Sequence, residues 1–257
     1  MPSIAKASAI RIVPVLDPTV RFKHPPPPAG LTYRGGPLLS SVTVKTLYWG
    51  NAWMTSQAAL IPQTNQFFQF IVTSPLIDQL AEYSVSGFPI GHGSFGGTAT
   101  IPGNLGATVT DAQIEQLVQQ HPLATHPKHP PPPPPINNSL YFVFVEPGVS
   151  VTMGNGVSCG LPPTGFCGYH NDISGSIFYA VIPFPSCAGC GGTFSTFDAI
   201  TLFASHELCE AITDPVPGQG WYSDQYGENG DFCNQQPKKI GPYTVQRLWS
   251  NASSSCI

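Results

Sequence analysis

Ser205-His206-Glu207-Leu208-Cys209-Glu210 sits near the end of an apolar run, Ser195 to Thr213, with helical spacing. Ser195 and Asp198 form a capping-box-like start. Asp214 precedes Pro215, which disfavours further helix, so the run stops there. His206 and Glu210 are four residues apart and therefore stack on one face, one turn apart, where both can reach a single ion. Ala199, Leu202 and Phe203 extend that stripe, which places the pair on the core side of the helix. Burying an imidazole and a carboxylate is costly without a partner, and a metal ion is a natural one.

Glu207 follows His206 and is rotated to the flank of the same face. In the His-Glu-x-x-His pattern that position holds the general base that takes a proton from metal-bound water. Here Glu210 replaces the second His. A carboxylate suits zinc, the cofactor expected here, and makes the site harder, which brings manganese or calcium within range. On an exposed helix the same residues would be a solvated i,i+4 pair; the apolar surroundings favour the metal. Downstream, Glu228 or Asp231 in Glu228-Asn229-Gly230-Asp231 can complete the ligand set, or Asp231 can orient His206. Asp214 reads as a cap on the Pro215 turn, with an orienting role as the other option. A separate calcium loop from Asp224, Glu228 and Asp231 is a further option. His170 is a further ligand, a substrate contact or a structural hydrogen-bonding group.

Outward from this helix the order of elements is readable. Ser41–Trp49 alternates as a strand. Thr55–Ser74 is helical and ends before Pro75, a short helix follows over Leu76–Tyr83, and Thr98–Ile101 is a short strand. Thr110-Asp111 opens a helix carrying Ile114, Leu117 and Val118. Ser139–Val145 is a central strand. Ser176–Pro183 is a strand whose terminal Pro marks an edge, where an extended peptide could add by main-chain hydrogen bonds. This is an α+β order, expected as one domain over 37–257 with a mixed twisted sheet and a loop-rich, disulfide-stapled C-terminal part. Residues 1–36 form a proline-rich arm. Residues 121–137, with His121, His126, His129 and the run Pro130–Pro135, form a stiff insertion.

Charged residues make up only 9% of the 257, with 26 Gly and 29 Pro, and the formal net charge is −4. No basic stripe exists to bind nucleic acid, and no apolar run is long enough to span a membrane. Met1–Pro25 lacks the continuous apolar stretch of a standard signal peptide. Seven Cys in so uncharged a chain point to disulfides and an extracellular location. Pairing in chain order gives Cys159–Cys167, Cys187–Cys190 and Cys233–Cys256, with Cys209 free in its helix. A zinc ribbon would need a second CxxC. A redox CxxC should open a helix, whereas Gly191-Gly192 follows this one.

Several motifs together resemble a known group. They are Gly36-Pro37-Leu38-Leu39, Leu47-Tyr48-Trp49-Gly50, Leu140-Tyr141-Phe142-Val143-Phe144 with Pro147-Gly148-Val149, Cys167-Gly168-Tyr169-His170 and Cys187-Ala188-Gly189-Cys190. In this order, over roughly residues 36–257, they are similar to the phosphate-induced/EXORDIUM-like family. Plant members are secreted and lack the His-Glu pair; bacterial relatives carry a similar His-Glu-x-x-Glu, Thr-Asp-Pro and Glu-x-Gly-Asp-x-Cys series. The resemblance implies secretion and a shared fold. The element order also resembles the zincin-type metallopeptidase layout. The expected function is a secreted, zinc-dependent metallopeptidase acting on polypeptides with Glu207 as base, and the alternative is a non-catalytic secreted or cell-surface protein with a structural metal.

Overall fold

The computed structural model describes residues 12–15, 30–121 and 138–257; the Pro25–Pro28 run and most of the proline-rich insertion, with His126 and His129, lie outside them. The chain is α+β. Nine strands make one curled mixed sheet: β1 (Ile12–Pro14), β2 (Thr43–Trp49), β3 (Ser94–Ile101), β4 (Thr108–Thr110), β5 (Ser139–Val145), β6 (Ser150–Met153), β7 (Gly156–Ser158), β8 (Gly165–Ile173) and β9 (Ile177–Ile182). Their order is β3-β2-β5-β9-β8-β7-β6-β4, with β1 antiparallel along β8. Strands β3, β2, β5 and β9 run parallel, and β8 returns antiparallel to β9. The helices are α1 (Leu60–Ile71), α2 (Pro75–Asp78), α3 (Asp111–Gln120) and α4 (Thr196–Thr213).

The sheet is covered on both faces, which is why β5 and β9 are buried at every position and read as unbroken apolar runs. On one face Leu140, Phe142, Phe144, Phe178 and Ala180 pack with the apolar residues of α1 and α4. On the other, Tyr141, Val143, Tyr179 and Val181 pack with Ile114 and Val118 of α3. Thr110 caps α3 through a complete capping box with Gln113. The side chain of Ser195 caps α4 by accepting from the Asp198 amide. From Ala199 to Thr213 every α4 residue is buried, as expected of a helix enclosed on all sides. Its outer side is closed by the C-terminal hairpin of Pro237–Ile240 and Tyr243–Gln246; the Thr201 hydroxyl donates to the Thr244 carbonyl, and the Gln246 amide donates to Ser205 Oγ.

Three expectations are corrected. The Ser176–Pro183 segment is no edge: β9 lies between β5 and β8. Pro183 falls just beyond the last strand residue, so its missing N–H costs no ladder bond. Residues 165–173, to which the sequence pattern assigns no strand, form β8; Gly165 and Gly168 disguise it because they lower β propensity. The Cys159–Cys167 and Cys187–Cys190 pairs are replaced by Cys159–Cys187 and Cys167–Cys190, while Cys233–Cys256 and the free, buried Cys209 are as expected. The turn between β7 and β8 brings Cys159 and Cys167 to one end of the sheet, opposite the loop that carries Cys187 and Cys190. Bridges across 28 and 23 residues tie that loop to the sheet. By restricting the unfolded chain, each closure stabilises the fold by roughly 3–4 kcal/mol.

The N-terminal arm is joined to the body where it is described. Val13 on β1 is fully buried and Leu31 nearly so. Thr32–Tyr33 pairs with Trp221–Tyr222, and the amides of Arg34 and Gly36 donate to the carbonyls of Gly220 and Gln219. Among the described residues no helix is long and apolar enough to cross a membrane.

Candidate metal centre

The last two turns of α4, strand β8 and the 228–231 loop converge. His206, Glu207 and Glu210 are 0%, 0% and 1% exposed. The i,i+4 geometry sets His206 Nε2 2.9 Å from Glu210 Oε1. The angle is not that of a hydrogen bond, and both ring nitrogens of His206 lack a hydrogen-bond partner among the described residues. Such close approach without donor–acceptor alignment suits two atoms facing a common cation.

His170 comes from β8. Its Cα partner on β9 is Ala180, so its side chain shares the α4 face of the sheet with Phe178 and Ala180. Its Nε2 is 3.2 Å from the Asp214 carbonyl oxygen, which can only accept, so Nε2 carries a proton. Its Nδ1 lies 3.2 Å from Glu207 Oε2 and 3.7 Å from Glu210 Oε2. A carbonyl that holds one ring nitrogen and turns the other inward is the arrangement that orients a metal-ligating His. Glu228 is fully buried, 3.4 Å from His170 Nε2, and neither of its carboxylate oxygens has a hydrogen bond. Asp231, partly buried, anchors the loop: its amide donates to Glu210 Oε1 at 3.0 Å, and its Oδ2 accepts from the Glu228 amide at 3.0 Å.

The expected ligands His206, Glu210, Glu228 and Asp231 thus come together with Glu207 and His170. Two sets have ligand atoms mutually within 4.8 Å: His206, Glu210 and Asp231, and His170, Glu210 and Glu228. Asp214 stands apart in role. Its carboxylate accepts from the amides of Gly218 (2.6 Å), Gln219 (3.0 Å) and Gly220 (2.6 Å), so it shapes the turn after α4 while its carbonyl orients His170. A calcium loop with Asp224 is not formed: Asp224 is exposed and pairs with Arg34 at 2.8 Å, away from buried Glu228.

Burial and close charges shift the protonation of several members of the cluster. Burial drives the carboxyls of Glu207, Glu228 and Asp214 upward, Glu228 well above the usual range. Burial opposes the imidazolium of His206, yet the charge and contact of Glu210 outweigh it and raise His206 to about 10. At His170 burial likewise opposes, and the Glu207 bond with the surrounding carboxylates wins. The donor set, imidazole and carboxylate only, fits zinc and manganese.

Several contributors carry no motif. A Cβ on Gly230 would meet Glu210 Oε1 at 2.8 Å and His206 Nδ1 at 2.9 Å, and one on Gly168 would meet Glu207 Oε1 at 2.9 Å. Both glycines let backbone approach the charged side chains. Gln246 Nε2 donates to the Gly230 carbonyl, and Asn229 Nδ2 to Thr213 Oγ1, fixing the loop against α4. Its place between Glu228 and Asp231 was the available signal for Gly230; nothing local in the sequence pointed to Gly168 or Gln246. No protein-family model, curated protein or solved structure matches the chain.

Proposed function

We propose that the chain is a secreted metal-dependent hydrolase, zinc being the first candidate ion, that cleaves polypeptides with Glu207 as general base. The observation that carries this reading is Glu207 itself. It belongs to neither ligand set, yet it is fully buried beside both; one oxygen is held by His170 and the other, Oε1, has no hydrogen bond. A structural ion has no use for such a group, because a buried unsatisfied carboxylate costs stability. A bound divalent ion would supply Lewis acidity and an acidified water. His170, whose Nε2–H donates to the Asp214 carbonyl, is fixed beside Glu207, and Glu207 takes the proton.

A polypeptide substrate is supported by β8. An extended segment, β1, already lies antiparallel on it at Gly168 and Tyr169, next to His170. Main-chain pairing of that kind is how an extended peptide docks on a sheet. The disulfides support secretion.

Full burial of the cluster favours a second reading, a non-catalytic protein with a structural ion, since structural sites are closed and catalytic ones keep an open position. Three full-length proteins separate the two: wild type, Glu207→Gln, and Val13→Asp, which places a charge at a fully buried position of β1 and loosens its pairing with β8 beside His170. Cleavage of a mixture of unfolded proteins is read by mass spectrometry. The hydrolase reading expects chelator-sensitive cleavage by wild type or Val13→Asp. Glu207→Gln, alone or combined with Val13→Asp, should cut it about 10²–10⁴-fold with metal content retained. Metal-loaded protein that cleaves nothing in any form supports the structural reading.

A further inference from the structure

Glu210 belongs to both ligand sets, and its two oxygens face different histidines. Oε1 lies 2.9 Å from His206 Nε2, and Oε2 lies 3.7 Å from His170 Nδ1. The remaining members divide cleanly: Asp231 accompanies His206, and Glu228 accompanies His170. We propose that the centre holds two divalent cations bridged by the Glu210 carboxylate, one at His206, Glu210 and Asp231 and the other at His170, Glu210 and Glu228. This rests on the reading of the cluster as a metal centre and adds a second ion to it.

Two independent observations support the pair over a single ion. The first is where unpartnered atoms lie. His206, whose ring nitrogens have no hydrogen bond among the described residues, offers one ligand atom to one set, and Glu228, whose carboxylate oxygens have none either, offers one to the other; both side chains are fully buried. One ion in either set would leave the orphan atoms of the other uncompensated, at the full desolvation cost of a buried polar group. The second is charge. Glu207, Glu210, Glu228 and Asp231 bring four carboxylates together, and three of them are at most 1% exposed. With all four ionised, one divalent cation leaves two negative charges in a low-dielectric interior, and two balance all four. A carboxylate-bridged ion pair, roughly 3.5–4 Å apart, is a recurrent arrangement in hydrolases that displace at a carbonyl or phosphoryl centre.

The test is metal stoichiometry of the full-length protein, stripped with chelator and reloaded with Zn²⁺ or Mn²⁺ alone. Mass-spectrometric elemental analysis should find two ions per chain. Glu228→Gln, close in shape to the native side chain, should retain one, His206→Ala should retain one, and Glu210→Gln should weaken both. The Mn²⁺-loaded wild type should show an exchange-coupled spectrum by electron paramagnetic resonance, a readout that depends on no variant folding. One ion per chain, with an isolated six-line Mn²⁺ spectrum, overturns the pair and leaves the metal centre standing. No ion bound by wild type overturns both.

Discussion

Tyr169 and His170 are neighbours on β8 and point to opposite faces of the sheet, and the two polar clusters they join behave differently. On the α3 face, Tyr169 and Tyr179 are both fully buried, and both hydroxyls donate to Asp111 Oδ1, at 2.7 and 2.8 Å; Asn171 Nδ2 donates in turn to Tyr179. Every member is satisfied by the protein alone. On the α4 face, His206 and Glu228 are equally buried, but their side-chain nitrogens and oxygens have no hydrogen bonds among the described residues. Burial is common to both. The difference is completeness: one network closes on itself, and the other, as we propose, closes around a cation.

The largest expected effect breaks the comparison if it fails. Removing metal should destabilise the α4 face by the binding linkage, about 4 kcal/mol when free ion exceeds the dissociation constant a thousandfold. The melting temperature should drop on chelation and recover on adding the ion back. An unchanged melting temperature would mean the α4 cluster is as self-sufficient as its counterpart. The converse holds on the α3 face. Asp111→Ala removes the shared acceptor of two buried phenols and should cost about 2–3 kcal/mol, since each is left short of a partner. Metal content should stay at the wild-type value. Loss of metal in Asp111→Ala would show that the two faces are coupled through β8 rather than separate.

Much of this contrast was readable in the sequence, for specific reasons. α4 announced itself because helical spacing, the Ser195 cap and the Asp214-Pro215 stop agree, and i,i+4 spacing alone puts His206 and Glu210 together. Glu228 and Asp231 were legible as carboxylates a short loop away. The strand that carries His170 was not, because two glycines dilute its β propensity and its partner β9 looked like an edge. That error also hid the Tyr169 and Tyr179 network, which exists only when β8 and β9 pair. Two of the three disulfides failed for the same reason, while Cys233–Cys256 was legible: chain spacing cannot report a turn that brings Cys159 and Cys167 to face a distant loop. The pairing of β1 with β8 beside His170 is likewise long-range, and local pattern does not encode it.

The smallest effect sharpens the comparison through pH. Burial raises the phenol of Tyr179 above its ordinary value, and the Asp111 charge beside it adds to the rise. The folded protein therefore keeps this proton when the unfolded chain has lost it above a pH of about 10. With more protons bound in the folded state, stability must fall as pH rises through that range, by up to about 1.4 kcal/mol per pH unit for one group. Below it the proton is bound in both states, and the hydroxyl contributes its hydrogen bond in full. Tyr179→Phe removes the bond and the titration together. At pH 8 the variant should be less stable than wild type by about 1 kcal/mol. The gap should narrow above pH 10 and close near pH 11, because only wild type carries the cost of holding that proton. Urea unfolding of both proteins across pH 8–11 measures the gap directly, and metal-loaded samples should give the same curve. A gap that stays constant with pH would mean that Tyr179 titrates alike in both states, and the α3 face would then be solvated rather than closed.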